Sequence, residues 1–262
     1  MLELARYEAR RRVRGTLYLT VGLVVFAGMY IATFPSIQTD IDLDQFIESL
    51  PEIFTELFNL ATMNTIEGFL AAELYSLGWT LLLGMYLAYS GGTLIAADVD
   101  RKRMDLLLSL PLSRRRVVAE KFLSLLVPIL GVNVVVPVAV LVGTTAVAYP
   151  IDPVNLAVVH LLSVPYLLAC AALGLVLSVV FSRVSVAQRG ALVAIFALYL
   201  FESVVVVADV GWLGVVAPMR YYAPTAVLVE GSYDWLGAAI LLAATGLLVA
   251  ASAAYFTRRD VQ

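Results

Sequence analysis

Six stretches of the chain are long and apolar enough to cross a lipid bilayer, and no other feature limits its fold as severely. They are Thr16–Thr33, Leu74–Ala97, Phe122–Tyr149, Leu156–Phe181, Gly190–Ala208 and Trp235–Phe256. The hydrocarbon core of a bilayer takes about 20 mostly apolar residues as one helix. Within it every backbone N–H and C=O must be paired inside the protein, which leaves helices and closed barrels as the only spanning forms. Runs of this length are helical. The chain is 61% hydrophobic and only 14% charged, where an average soluble domain is about 25% charged. One soluble core cannot hide that much apolar surface, so a soluble enzyme, a secreted disulfide scaffold and a disordered protein are excluded. The single cysteine, Cys170, allows no internal disulfide, and the single histidine, His160, allows no histidine-based metal cluster. The fold class is therefore an all-α integral membrane protein, a six-transmembrane-helix bundle forming one domain over residues 1–262.

Three of the runs carry internal signals. Pro128 and Pro137 in the third, and Pro165 in the fourth, each remove a backbone donor and kink a helix. In the fifth, apolar residues continue beyond Asp209 through Trp212–Val216, which blurs its end. The first run is too long for a signal-peptide core and lacks a small-residue cleavage site, so it is read as a retained helix.

Charge sets the orientation. Residues 1–14 hold Arg6, Arg10, Arg11, Arg12 and Arg14; the stretch between runs two and three holds Arg101, Lys102, Arg103, Arg114, Arg115, Arg116 and Lys121. Arg183 and Arg189 follow run four, and Arg258 and Arg259 follow run six, so 16 of the 17 bases fall on one side of a six-span topology and only Arg220 falls on the other. Basic residues mark the cytoplasmic side, which makes both termini cytoplasmic. The first outer segment is the reverse: Asp40, Asp42, Asp44, Glu48, Glu52, Glu56 and Glu67 with no base. With 15 arginines against 2 lysines, this acidic outer face fits a halophilic source, an archaeon for example; GC-rich coding and chance fit it equally.

Two amphipathic segments lie outside the runs. Leu2, Ala5, Ala9 and Val13 share one helical face within basic residues 1–14, which predicts a short helix lying in the cytoplasmic interface. In the outer segment, residues 35–73, Leu43, Phe46, Ile47, Leu50, Phe54, Leu57 and Phe58 repeat at helical spacing against an acidic face of Asp44, Glu48, Glu52 and Glu56, with a bend expected at Pro51. This predicts an amphipathic helix capping the outer mouth of the bundle. Small residues recur at Ala239, Ala243, Gly246, Ala250 and Ala254 in the last run and at Gly78, Gly84, Gly91 and Gly92 in the second, which permits close helix approach.

Catalytic equipment is sparse. The chain has no GxxxxGK[ST] phosphate loop, HExxH, paired CxxC or GxSxG, so no nucleotide-binding domain is expected, and no cofactor or metal on this chain. His160 is expected to be a packed residue. Acids inside a membrane are costly and mark functional positions by default; Glu202, within run five, is the clearest case and is read either as lining a polar substrate pathway or as pairing with a base such as Arg220.

The most informative stretch is residues 98–121, DVDRKRMDLLLSLPLSRRRVVAEK. Asp98 and Asp100 suit a helix N-terminus. Met104, Leu107 and Leu108 form an apolar face beside Arg101, Lys102, Arg103 and Asp105, Pro111 ends the helix, and Ser113 caps the next, which begins with Arg114–Arg116. This predicts a short amphipathic helix on the cytoplasmic side, suited to grip a partner protein or to serve as an ordinary interfacial loop.

The succession of an acid, Leu107-Leu108-Ser109-Leu110-Pro111-Leu112-Ser113-Arg114 and then Lys121 resembles the loop between spans two and three of ABC-2 type transporter permeases. A Gly-Thr pair commonly precedes the leucines in that family; Lys102-Arg103 stands at those positions here. The ending Tyr255-Phe256-Thr257-Arg258-Arg259-Asp260 is also similar to the family's. The resemblance implies a multi-pass permease of the plasma membrane, without enzymatic activity of its own, that works as an exporter paired with a second copy or homologue among membrane lipids, with no nucleic acid involved. ATP and Mg²⁺ would sit on a separate ABC ATP-binding subunit. Asp98, Asp100, Arg101, Lys102, Arg103, Met104, Asp105, Leu107, Leu108, Pro111 and Arg114 would form the coupling segment that docks on it, with Met104, Leu107 and Leu108 as apolar anchors. An ion-coupled secondary transporter centred on Glu202 and a membrane scaffold anchoring an ATPase are the alternatives.

Overall fold

The computed structural model describes residues 3–40, 63–104, 112–208 and 210–258. The expected outer helix around Leu43–Phe58 lies outside them, as do Asp105, Leu107, Leu108, Pro111 and Asp209. Every regular element among the described residues is helical, and six helices are long and apolar enough to cross a membrane: Glu3–Gln38, Ile66–Thr93, Arg114–Ala146, Pro153–Val180, Val184–Val206 and Trp235–Arg258, here spans one to six.

Span one starts well before its apolar run. The basic segment and the run form a single helix, Glu3–Asp40. Gly15 is the only weak former between them, and one isolated glycine costs about 1 kcal/mol, too little to end a helix this long. The face turned inward at its start is Leu4, Glu8, Arg12 and Thr16, while Val13, from the expected apolar face, is exposed.

Span two also begins early, because Thr65 caps it by accepting from the Gly68 amide at 3.1 Å. Residues Ala71–Leu83 are wound as a π-helix. Hydroxyls reinforce this wider winding: Ser76 donates to the Ala71 carbonyl at 2.8 Å and Thr80 to the Tyr75 carbonyl at 3.0 Å, each five residues back. Such stretches are rare and concentrate at functional sites.

Span three is two helices, Arg114–Leu123 and Leu126–Ala146, joined by a turn at Ser124–Leu125. Pro128 explains the break, since it has no N–H for the Ser124 carbonyl four residues back. Ser113 caps the first piece as expected, accepting from the Arg116 amide at 3.3 Å. Pro137 and Pro165 lie within continuous helices.

Span four is the central post, touching spans two, three, five and six. Its most apolar stretch is 67% buried, against 17% for span five and 22% for span one, which places those two at the periphery. Spans two and four cross backbone to backbone: a β-carbon at Gly91 would collide with the Ala171 carbonyl, and one at Gly174 with the Ala88 carbonyl. Here the glycines are required by close approach. The small residues of span six behave otherwise. Ala239, Ala243, Gly246 and Ala250 face outward, and the span packs through Ala238, Leu241, Thr245 and Phe256.

Two acids at span starts have local work. Asp152 accepts from the amides of Val154 and Asn155 at 2.6 and 3.1 Å, and Asp234 from Gly237 at 2.7 Å, capping spans four and six. The apolar residues after span five do not prolong it. They form 3₁₀ turns at Gly211–Val216 and Pro218–Tyr221 and a short helix at Pro224–Leu228, which fold back onto spans two, four and six. The start of span one and the end of span six meet the base of span three, so both described ends lie at one end of the bundle.

Candidate functional site

Two polar arrangements, apart from a buried network around His160, stand out in the apolar bundle among the described residues. The first is an ionic clasp at the end carrying the basic residues. Lys121, only 4% exposed at its side chain, donates to Asp98 Oδ2 at 2.5 Å and to Glu8 Oε1 at 3.1 Å. Arg103 donates to the other Asp98 oxygen at 2.9 Å. One ammonium thus joins span one, the exit of span two and the base of span three. The adjacent Glu120 doubles the joint: it receives the Ala5 amide at the start of span one at 3.1 Å and Arg116 Nε at 2.6 Å. That amide belongs to a helix N-terminus, where carboxylates are favoured. Arg12 adds a third tie, donating to Ser124 Oγ at 2.9 Å.

The residues leading into this clasp are pinned as well. Ser178 of span four, fully buried, accepts from the amides of Ile95 and Ala96 at 2.9 Å each, where span two turns into the helix Ala96–Asp100. Asp100 accepts from the Val184 amide at the start of span five at 3.4 Å. The segment entering the loop is therefore tied to spans one, three, four and five.

The second arrangement is a cleft of about 560 Å³ at the opposite half of the bundle, between spans two and five and the fold-back segment. Span two contributes Glu73, Ser76 and Thr80; span five contributes Tyr199, Glu202 and Ser203. Arg220, on the fold-back segment, donates to Glu202 Oε1 at 3.3 Å, and Glu202 Oε2 has no hydrogen-bond partner among the described residues. Gly214 makes room for this pair, since a β-carbon there would strike both the Glu202 carboxylate and the Arg220 guanidinium. Tyr222 stacks on Tyr166 with ring centroids 5.4 Å apart, and Tyr166 donates to the Thr80 carbonyl at 2.6 Å, which locks the fold-back segment onto spans four and two.

His160 belongs to neither arrangement. Asn133 Nδ2 donates to the Ile129 carbonyl at 2.8 Å, so Asn133 Oδ1 is the acceptor for His160 Nδ1 at 3.1 Å and for Ser163 Oγ at 2.8 Å. His160 Nδ1 therefore carries the hydrogen, and Nε2 accepts from the Tyr75 hydroxyl at 2.9 Å. Both nitrogens are occupied, and the residue is a packed tie between spans two, three and four, as expected.

Residues 2–261 match the family described as ABC-2 family transporter protein. The chain belongs to this family. It is a multi-pass membrane protein and a permease-type subunit of an ABC transporter. No curated protein and no solved structure matches it.

Membership gives the loop residues a context, and the structure revises several. The acid and the lysine that bracket the ABC-2 loop pattern are partners, because Asp98 and Lys121 form the clasp. The sequence signal for Lys121 is a lysine beside a glutamate, next to Val117, Val118 and Phe122. Asp98 stands in the first turn of a helix, whereas Asp100 is the last residue of that helix rather than the opening of a new one. They lie in the short helix Ala96–Asp100, which stops at Arg101, and their carboxylates serve other elements. Lys102 has φ 53°, the left-handed region where a side chain is disfavoured. Met104 is corrected most clearly: expected as a partner-facing anchor, it is 2% exposed and packed in the core, a burial worth about 1.5–3 kcal/mol. Arg101 and Lys102 are exposed, and Arg114 reaches span six, donating to the Phe256 carbonyl at 3.2 Å. Glu202 pairs with Arg220, as one of its two sequence readings expected, and lines the cleft.

Proposed function

We propose that this chain moves a substrate across the plasma membrane as one half of an exporter, driven by ATP hydrolysis on a separate ABC ATP-binding subunit docked beneath residues 98–121. ATP and Mg²⁺ belong to that subunit. The observation that carries the reading is the clasp: Lys121 joins Asp98 to Glu8, so a push on the loop reaches spans one, two and three together rather than one helix alone. With Met104 committed to the core, Leu107 and Leu108 are the apolar anchors for the ATPase, flanked by Asp105 and by the exposed cations Arg101 and Lys102, which set orientation more than affinity. Pro111 ends the docking segment and Arg114 holds its far side to span six. The outward faces of spans one and five suit contact with lipid and with a second copy or homologue. The cleft containing Glu202 and Arg220 is the entrance to the substrate pathway.

The test is a double substitution, Leu107→Asp with Leu108→Asp, in the permease co-expressed with its ATP-binding subunit. Loss of co-purification, with the permease still eluting as a folded species, is expected. A stable complex with unchanged ATPase activity would show that the loop does not dock.

A further inference from the structure

The polar groups of the cleft are unevenly matched. Ser76, Thr80 and Ser203 each spend their hydroxyl hydrogen on a carbonyl of their own helix, at 2.8, 3.0 and 3.0 Å. What each still has to offer is lone pairs, because a hydroxyl has one donor and two acceptor positions. Glu73 and Glu202 add carboxylates, which are acceptors only, and Glu202 Oε2 is buried with no partner among the described residues. Against these, Arg220 is the one cation among the lining residues, and it is already engaged with Glu202. The ion pair cancels its own charge and Glu73 leaves the cleft anionic by one. A net negative charge in a low-dielectric cleft concentrates the opposite ion. The cleft also has an apolar side. Leu77 and Val206 line it and are 40% and 63% exposed on the flank of the bundle.

We infer that the cleft binds a primary ammonium carried on an apolar tail, the ammonium among the acceptors of Glu73, Glu202 and the span-two hydroxyls, the tail along the flank beside Leu77 and Val206. This inference rests on the reading of the cleft as the pathway entrance and adds the substrate class. An ammonium offers three donors and no acceptor, which complements lone pairs and a carboxylate. An anionic amphiphile meets Glu73, and the one cation among the lining residues, Arg220, is already paired. The size agrees, since drug-sized ligands occupy pockets of about 300–1,000 Å³.

The experiment measures binding rather than transport, so it is independent of whether any ATPase drives the chain. The full-length permease in phosphatidylcholine nanodiscs is titrated at pH 7 with a fluorescent long-chain primary amine, empty nanodiscs being subtracted, and the probe is competed with dodecylamine or dodecyl sulfate. Saturable binding displaced by dodecylamine and not by dodecyl sulfate is expected, weakened about tenfold by Glu73→Gln, the loss of one charge-assisted contact. Equal displacement by dodecyl sulfate, or no saturable binding, overturns the inference in the wild-type protein without any variant. Glu73→Gln binding as tightly as wild type, with an unchanged elution profile, overturns it too. Nanodiscs containing phosphatidylethanolamine separate two sources of the same chemistry: loss of amine binding there identifies an aminolipid headgroup, and retained binding identifies a single-chain amine. Amine binding by a permease that fails the docking test would leave the site standing and remove the transport reading.

Discussion

Replacing Lys121 with methionine removes one ammonium and leaves two carboxylates, Asp98 and Glu8, facing a site that is 4% exposed. Methionine is close to lysine in length and fills the same channel, so the change is electrostatic rather than a cavity. Breaking a buried pair from one side costs about 3–5 kcal/mol. The lower end applies because Arg103 stays on Asp98 at 2.9 Å and the Glu8 side chain is 16% exposed. A loss of about 3 kcal/mol lowers the unfolding midpoint by about 6–12 °C in a chain of this size. The assay is thermal unfolding of the purified permease in detergent, followed by exposure of its buried Cys170 to a thiol-reactive dye. The triple variant Lys121→Met, Asp98→Asn, Glu8→Gln separates the causes. With the stranded charges gone it is expected to regain more than half of the loss, because a neutral set of similar volume does not carry the desolvation penalty. Of the single carboxylate variants, Asp98→Asn is expected to cost more than Glu8→Gln, since Asp98 receives both Lys121 and Arg103. An unchanged midpoint for Lys121→Met, or a triple variant less stable than the single one, refutes the clasp as a joint.

Two further outcomes follow from packing. Gly174→Leu places a side chain against the Ala88 carbonyl, a backbone atom that cannot swing aside; overpacking costs about 1–3 kcal/mol when side chains can adjust, and here more, so the variant is expected to be lost to aggregation on size-exclusion chromatography while Gly190→Ala, with only Leu177 nearby at 3.5 Å, elutes normally. Tyr75→Phe leaves His160 Nε2 without its donor, at a cost of about 1–3 kcal/mol, and a midpoint equal to wild type would mean that the Tyr75–His160–Asn133 chain contributes nothing to stability.

Much of the architecture was legible because membrane physics leaves few options. A run of about 20 apolar residues has one stable form in lipid, and all six runs are helices at the expected places, extended at the ends where a cap such as Thr65 or an uninterrupted basic helix continues the ladder. The break in span three was legible from Pro128. The winding of span two was not, because a π-helix has no periodicity signal distinct from an apolar run. Its hydroxyl brackets at Ser76 and Thr80 become meaningful only once the carbonyls five residues back are in place. The fold-back after span five was legible only as an apolar continuation, since hydrophobicity does not distinguish a spanning turn from one that returns to the bundle.

The functional site divides the same way. Sequence determined on its own that residues 98–121 carry a charged segment between two spans, that Glu202 is an acid in an apolar run, and that no nucleotide motif exists on this chain. Each is a matter of residue type and spacing along one dimension. Only the tertiary structure decided that Met104 faces inward, that the bracketing Asp98 and Lys121 meet each other and Glu8, and that Glu202 shares a cleft with Arg220 and Glu73. Those partners are 23, 113 and 18 residues apart. In a medium where an unpaired charge is so costly, where a charge finds its partner is settled by how the helices pack, and a single sequence does not record it.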